Sequence, residues 1–447
     1  MGEPSRSSLN SDDGSTKNLR PPAGSVLARS MLPSSEAFPV SDDLGPHSFQ
    51  KLKMLGRGAV GKVYLVLLKG TEKVYAMKVL TKKEMIEKNK IKRVLTEREI
   101  LATVNHPFII TMYASFQTAE RLYYVMDFCQ GGEFYQFLQK QPNKRLPESA
   151  VKFYIAEVVL ALEYLHHMGF IYRDLKPENV LMRANGHVAL TDFDLSKQGQ
   201  AISPRVVETH LSLMQKMKSA MSSNKANGPP SGRKSLEILD SEPVLTGDCT
   251  SFVGTEEYIA PEIVDGTNQT AAVDWWTVGI LCYEMLFGQT PFKGGTQDET
   301  FRNILGGKQL QFPDDIPVSK DCKNFVRSLL KKDVSKRLGG TNGATDIKAH
   351  AWLKCINMNL IRNARAPAIP RLRDPLDMTQ YKPLKNPEFE PTNVSSDGTS
   401  KKNNGADSDE EAGVDGSSTE KNEQGNGEAE PNPFANFDVV REDARSY

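Results

Sequence analysis

From Phe49 onward the chain alternates apolar and polar positions with a period of two, in FQKLKMLGRG, then KVYLVLL, then KVYAMKVL after a turn centred on Gly70. That period sends successive side chains to opposite faces, so the stretch is expected to fold as an antiparallel meander of strands. At Thr81 the pattern changes. Thr81 and Glu84 have the spacing of a capping box, and Ile91, Val94, Leu101 and Val104 fall on one face of a helical region ending near Val104. After Leu146 helical spacing dominates, and one helix is well bounded, with Pro147 in its first turn and Gly169 just past its end. The expected fold class is α+β and bilobal, a small β-rich lobe followed by a larger α-helical lobe.

Two stretches stand outside this periodicity. Residues 1–46 and 393–430 are polar, without a hydrophobic period, and are expected to be disordered; the second is acidic and leads into the aromatic patch NPFANF. Residues 198–248 interrupt the periodic region, polar apart from a candidate short helix in HLSLMQKMKSAM. A hydrophobic content of 38% in 447 residues agrees with a folded centre and disordered flanks.

Lys plus Arg balances Asp plus Glu at 56 each, which gives no support for a nucleic-acid partner. Five cysteines lack CxxC spacing, against a zinc site or disulfide scaffold, and a reducing compartment is expected. No apolar run is long enough for a transmembrane segment, and Arg6 occupies the position where a myristoylation signal needs Ser or Thr.

Candidate chemistry begins with LGRGAVGKV, which sets Gly56, Gly58 and Gly61 in GxGxxG spacing. In a dinucleotide-binding unit such glycines lead into a helix; here they lead into another strand, so the loop is a hairpin lid whose amides can cover phosphates. Lys78 lies inside the apolar strand VYAMKVL and needs an opposite charge. Glu97, on the inward stripe of the following helix, is the candidate, although on spacing alone it could instead pair at the surface with Arg93 or Arg98.

YRDLKPENVLMRANGHVALTDFD contains a hairpin. A two-residue turn at Asn185-Gly186 would set Ala184 opposite His187 and Asn179 opposite Asp192, an amide oxygen beside a carboxylate, suited to magnesium with phosphate oxygens and water completing its shell. Asp174 is placed to accept a hydroxyl proton, and Lys176 to steady a transferring phosphoryl group.

With these motifs on the page, the chain from Phe49 to Trp352, apart from the 198–248 insertion, resembles a eukaryotic protein kinase. YRDLKPEN and GTEEYIAPE are typical of serine/threonine kinases, while RLGGTNGATDIKAHAWL and the terminal FANF resemble the AGC group. The long insertion and DFD triplet are similar to the branch containing flippase kinases and phototropin-type kinases. The implied organisation is a kinase domain over 47–352 and an AGC-type tail over 353–447.

The resemblance implies ATP and Mg2+ as cofactors. It implies an ATP site at Leu55, Gly56, Gly58, Gly61, Val63, Lys78, Glu97, Asp127, Cys129 and Glu133, with Met126 as gatekeeper and Asp127 and Cys129 offering backbone groups. It makes Asp174 the catalytic base with Lys176 beside it, Asn179 and Asp192 the metal ligands, Thr255 a support for Asp174, and Glu262 and Arg337 a buried pair. Glu133, Glu178 and Glu284 match positions that read arginine upstream of a target Ser or Thr. Ser251 takes the activation-loop phosphosite, with Thr250 beside it and Arg173 as receiver of the phosphate. Phe434 and Phe437 match the docking aromatics of the tail, with Asp438 where relatives carry a phosphorylated residue.

The partners implied are protein substrates with basic residues upstream of the target Ser or Thr and an upstream phosphoinositide-dependent kinase, for a monomer in the cytoplasm. The insertion could touch a membrane peripherally or be a tolerated loop. A pseudokinase or scaffold is the alternative, against which stand Lys78, Glu97, Asp174, Lys176, Asn179 and Asp192, all present. Asp194 stands where most kinases carry glycine; aspartate tolerates unusual backbone angles, so the loop is expected to turn without losing activity.

Overall fold

The structure, a computed structural model, describes residues 38, 44–58, 61–201, 205–208, 237–240, 243–244, 254–377, 384, 386–389 and 432–441. The fold is α+β in two lobes, as the periodicity implies. Strands β1 (Phe49–Gly58), β2 (Gly61–Leu68) and β3 (Val74–Thr81) form the expected meander. Helices α1 (Lys82–Glu87) and α2 (Ile91–Thr103) follow, then β4 (Met112–Gln117) and β5 (Arg121–Met126). The sheet is antiparallel, ordered β1-β2-β3-β5-β4, and a tail strand, Val439–Val440, is added outside β4.

The expected capping box at Thr81 does not form, because the Thr81 side chain makes no cap bond. Instead the Lys82 N–H donates to Glu120 O at 2.8 Å, so the turn before β5 fixes the start of α1. The helical region is also broken in two at Asn89, whose φ is +50°.

The large lobe is built around α4 (Glu148–His167), preceded by the short α3 (Phe134–Gln139). Pro147 caps α4, and Gly169, at φ +82°, lies just past its end, as its sequence signals indicate. Helices α5 (Pro261–Val264), α6 (Ala272–Phe287), α7 (Gln297–Arg302), α8 (Lys320–Leu329) and α9 (Gly343–Ala349) complete it. α6 is apolar nearly all round because it is enclosed nearly all round, with Trp275 and Trp276 fully buried. Two charged groups inside this core are matched: Arg337 donates to Glu262 through both terminal nitrogens, at 2.6 and 2.8 Å, and its Nε donates to Lys331 O at 2.9 Å.

Within the stretch 1–46 the structure describes Phe38 and residues 44–46. Phe38 is buried, stacked on Tyr113 with ring centroids 5.3 Å apart and set edge-on to Tyr75, so one aromatic residue has a prepared slot on the small lobe. In the insertion, Arg205–Glu208 pairs with Glu237–Asp240 and Gln200–Ala201 with Pro243–Val244; the candidate helix HLSLMQKMKSAM and the acidic stretch 393–430 lie outside the described residues. Among the described residues no helix is long and apolar enough to cross a membrane.

Breaking the Glu262–Arg337 pair from one side leaves a buried charge without its partner. Arg337→Ala is therefore expected to lower the free energy of unfolding by about 3–5 kcal/mol in urea denaturation. Replacing both residues together, with Glu262→Gln and Arg337→Met, should cost less than Arg337→Ala alone. A loss below about 1 kcal/mol for Arg337→Ala would show that the pair is not structural.

Candidate active site

The glycine lid is the hairpin β1–β2, closing with Gly58 opposite Gly61; residues 59 and 60 lie outside the described residues. Its glycines are not equivalent. A Cβ at Gly61 would come 2.5 Å from Leu80 Cδ2 and 2.6 Å from Val79 O, so this position needs glycine for the sheet to close. A Cβ at Gly56 would meet nothing within 4 Å, which leaves open space there for a bound group. Leu55 is exposed on the same strand, and Val63 stands opposite both Gly56 and Lys78 in register, beneath the lid.

Lys78 Nζ donates to Glu97 Oε1 at 2.7 Å and lies 3.3 Å from Asp192 Oδ1. Glu97 is buried on the inward stripe of α2 with Val94, Ile100 and Leu101, so the surface pairing with Arg93 or Arg98 does not occur. Burial works against the Lys78 charge, but Glu97, Asp192 and Asp194 together outweigh it and hold the ammonium above its ordinary pKa. Lys78 in return holds the Asp192 carboxyl below the usual range, so Asp192 is ionised.

The hairpin β6 (Val180–Met182) and β7 (Val188–Leu190) differs from its expected register by one residue. Val180 pairs with Leu190 and Met182 with Val188, so Asn179 is opposite Thr191, whose N–H donates to Asn179 O at 3.0 Å. The loop has three residues: Gly186 N–H donates back to Arg183 O at 3.0 Å and Gly186 adopts φ +84°, a type I turn followed by a left-handed residue. Asp192 thus lies one position beyond the ladder and reaches the cleft through its own left-handed backbone, at φ +57°. Asp194 is not among the residues of positive φ, so nothing in its backbone calls for glycine and the expected strain is at Asp192.

Asp174 accepts from Lys176 Nζ at 2.9 Å and from Asn179 Nδ2 at 2.7 Å. Burial pushes the Asp174 carboxyl above its ordinary value, against the pull of Lys176 and Asn179. Because the Asn179 amide nitrogen is engaged by Asp174, its Oδ1 is the atom available to a cation. Asn179 and Asp192 thus offer two hard oxygen ligands. Among the described residues no cluster of three or more His, Cys, Asp or Glu could hold a metal. That donor set fits magnesium bound mostly through nucleotide phosphates.

Sequence reasoning missed the anchor of this loop. Asp274, fully buried at the start of α6, accepts from the N–H groups of Tyr172 at 2.9 Å and Arg173 at 2.7 Å, and from His166 at 2.7 Å. Its signal was a carboxylate in the first turn of a mostly apolar helix, flanked by Val273 and Trp275. Arg173, at φ +66°, is buried, with Nε on Leu195 O at 2.9 Å and one terminal nitrogen on Gln269 Oε1 at 3.1 Å. Ser251 and Thr250 lie outside the described residues. Thr255 lines a small cavity with Asp174 and Tyr258.

At the hinge, Met126 ends β5, opposite Ala76. The Asp127 carboxylate is buried, bound by Tyr113 Oη at 2.6 Å and Arg183 at 2.9 Å, and the Cys129 thiol is buried and pushed up to about 11 by desolvation. Their side chains being enclosed, only backbone groups could meet a ligand. Burial raises the Glu284 pKa, the nearby charges of Glu178 and Glu257 add to the effect, and Tyr258 Oη, which donates to Glu284, opposes it. Glu257 is therefore a third member of this acidic group that sequence reasoning did not single out. Glu133 is exposed nearby, paired in register with Leu181, three residues past Glu178.

Phe434 and Phe437 are both buried, Phe437 edge-on to Tyr124 at 5.1 Å. Their carbonyls are held as well, Phe434 O by Gln117 at 2.8 Å and Phe437 O by Ser115 at 2.6 Å and Arg98 at 3.2 Å. The residues after them were not foreseen. Val439 and Val440 extend the sheet beside β4, and buried Arg441 donates from one guanidinium nitrogen to Leu101 O at 3.1 Å and Val104 O at 2.7 Å, the C-terminal end of α2. A cation there suits both the orphan carbonyls and the negative end of the helix.

The family described as "Protein kinase domain" matches residues 49–213 and 238–353. The chain is similar to serine/threonine-protein kinase nrc-2 of Neurospora crassa, 47% identical over 391 residues, or 86% of this chain and 60% of that protein. It is similar to flippase kinase 1 of Saccharomyces cerevisiae, 50% identical over 332 residues, 74% of this chain and 34% of that one. Phototropin-2 of rice is 44% identical over 344 residues, 76% of this chain and 36% of the relative. The chain thus spans less than two thirds of the length of these relatives.

Removing the Arg441 side chain strips two carbonyls at the end of α2 of a buried donor. Arg441→Ala should lower the free energy of unfolding by about 1–3 kcal/mol and speed hydrogen exchange in the last turn of α2. Unchanged exchange in that turn would show that the tail merely lies against the helix.

Proposed function

We propose, for a chain that belongs to the protein kinase family, that it transfers the γ-phosphoryl group of ATP to serine or threonine in proteins. The observation that carries this reading is the coexistence of the 2.7 Å Lys78–Glu97 pair with the Lys176–Asp174–Asn179 network across the same cleft. Lys78, held charged, binds the α- and β-phosphates, and the lid above Gly56 covers them. Asp174 orients the substrate hydroxyl and takes its proton, and Lys176 neutralises charge on the moving phosphoryl group. Magnesium, when bound at Asn179 and Asp192, supplies positive charge to the β- and γ-phosphates.

Glu178, Glu257 and Glu284 support a preference for basic residues upstream of the target, with Glu133 at the edge of the same surface. Lipid flippases are a substrate class suggested by the yeast relative's name. Regulation is read as phosphorylation of Ser251 by an upstream phosphoinositide-dependent kinase, with Arg173 receiving the phosphate. Docking of Phe434 and Phe437 beside α2 adds a second input. There the burial-raised Asp438 carboxyl, opposed by Gln117, Lys82 and Arg98, stands in for a phosphate.

Radiolabelled transfer to an arginine-containing peptide library tests the reading. Wild type should label peptides with arginine three residues before the target, and Asp174→Asn should lose activity by about a hundredfold or more. A library labelled without basic preference would remove the acidic group from substrate recognition, and full activity in Asp174→Asn would overturn the mechanism. Ser251→Ala should lower activity severalfold, and full activity with no other phosphate on the loop would exclude that switch.

The pH dependence follows from Asp174. A base must be unprotonated, so the rate falls as pH drops through its pKa, and burial places the acidic limb above the ordinary 3.8. Lys176→Gln removes a cation that lowers this pKa, so the residual activity should show the limb displaced to higher pH. Displacement to lower pH would contradict the assignment.

A further inference from the structure

The side chain of Asp194 extends to α2. Its Oδ2 lies 3.7 Å from Lys90 Nζ and 3.7 Å from an Arg93 terminal nitrogen, one carboxylate oxygen between two cations at the helix's N-terminal end. In the chain, Asp194 follows Asp192 by two residues on the same loop. Its side chain therefore joins the loop that carries the candidate metal ligand to the Glu97-bearing helix.

The helix lacks what Asp194 supplies. α2 has no acidic residue in its first turn, and Lys90, at its N-cap, makes no side-chain cap bond. A negative charge is favourable at that end of a helix. Arg93 and Glu97 are four residues apart and share a face. A helix fixed only by Lys78–Glu97 can still rotate about that contact. A second contact one turn away on the same face removes the rotation.

We propose that Asp194 is a positioning residue for phosphoryl transfer, tying the magnesium loop to the first turn of α2 through Lys90 and Arg93 and so keeping Glu97 on Lys78. The proposal rests on the kinase reading above. Partly exposed ion pairs of this length often contribute little, so the bridge must show itself as coupling between its members.

The test uses the full chain, phosphatase-treated so that a phosphate on the activation loop does not offer Arg93 another partner. Asp194→Asn should lower kcat about three- to tenfold at low ionic strength, with the peptide KM unchanged and faster hydrogen exchange in the first turn of α2. Lys90→Gln with Arg93→Gln should do the same, and the triple variant should be no worse than either. Raising the salt should narrow the gap between wild type and Asp194→Asn, since ions screen the bridge. Lys83→Gln, which breaks the exposed 3.8 Å pair with Glu87 on α1, should change nothing. Wild-type kcat and exchange in Asp194→Asn, or effects that multiply in the triple variant, would overturn the bridge. A wild type that transfers no phosphate would defeat the kinase reading, and the exchange rates would still decide the bridge.

Discussion

The ion pair between Lys78 and Glu97 is the interaction on which the rest of the cleft depends, because it joins the two elements that can most easily separate, a sheet and the helix lying on it. Its partners come from β3 and α2, with Glu97 buried and Lys78 largely withdrawn from solvent. Either charge alone would be costly in that setting, so the helix is held where the pair can form. Lys78 in turn sets the ionisation of Asp192 and draws that carboxylate toward the lid. On the proposed reading, Asp174 then acts opposite a fixed phosphate-binding lysine.

The contacts that hold α2 come from distant parts of the sequence. Tyr124 Oη donates to Val94 O at 2.9 Å from inside the sheet, and Arg98 binds the carbonyl of Phe437. Arg441 closes the C-terminal end. Around the catalytic loop the equivalent anchor is Asp274, whose carboxylate fixes two successive backbone amides and thereby the left-handed Arg173 beside Asp174. The molecule thus places its reactive groups through buried polar contacts to main chain, which leave few alternative arrangements.

Much of this was legible in the sequence, for physical reasons. A lysine inside an apolar strand and a glutamate on an apolar helical stripe each demand a partner, and the structure excludes the alternative surface pairing with Arg93 or Arg98. The bounds of α4 followed from Pro147 and Gly169, whose backbone preferences are strong. The hairpin register was misjudged because Asn-Gly fits both a two-residue turn and the end of a three-residue loop, and only the ladder distinguishes them. The capping box at Thr81 does not form, and the start of α1 is instead tied to Glu120, far along the chain, through the Lys82 amide. Arg441 and Phe38 carried no local signal at all, since each is defined by a surface made elsewhere.

The most direct measurement of the central claim is a double-mutant cycle on Lys78 and Glu97, read as the rate of phosphoryl transfer at saturating ATP. If the pair acts as one unit, Lys78→Met and Glu97→Gln should each reduce kcat by at least about tenfold, and the double variant should be no slower than Lys78→Met alone. Effects of the two substitutions that multiply, or a Glu97→Gln variant that turns over like wild type, would contradict the account.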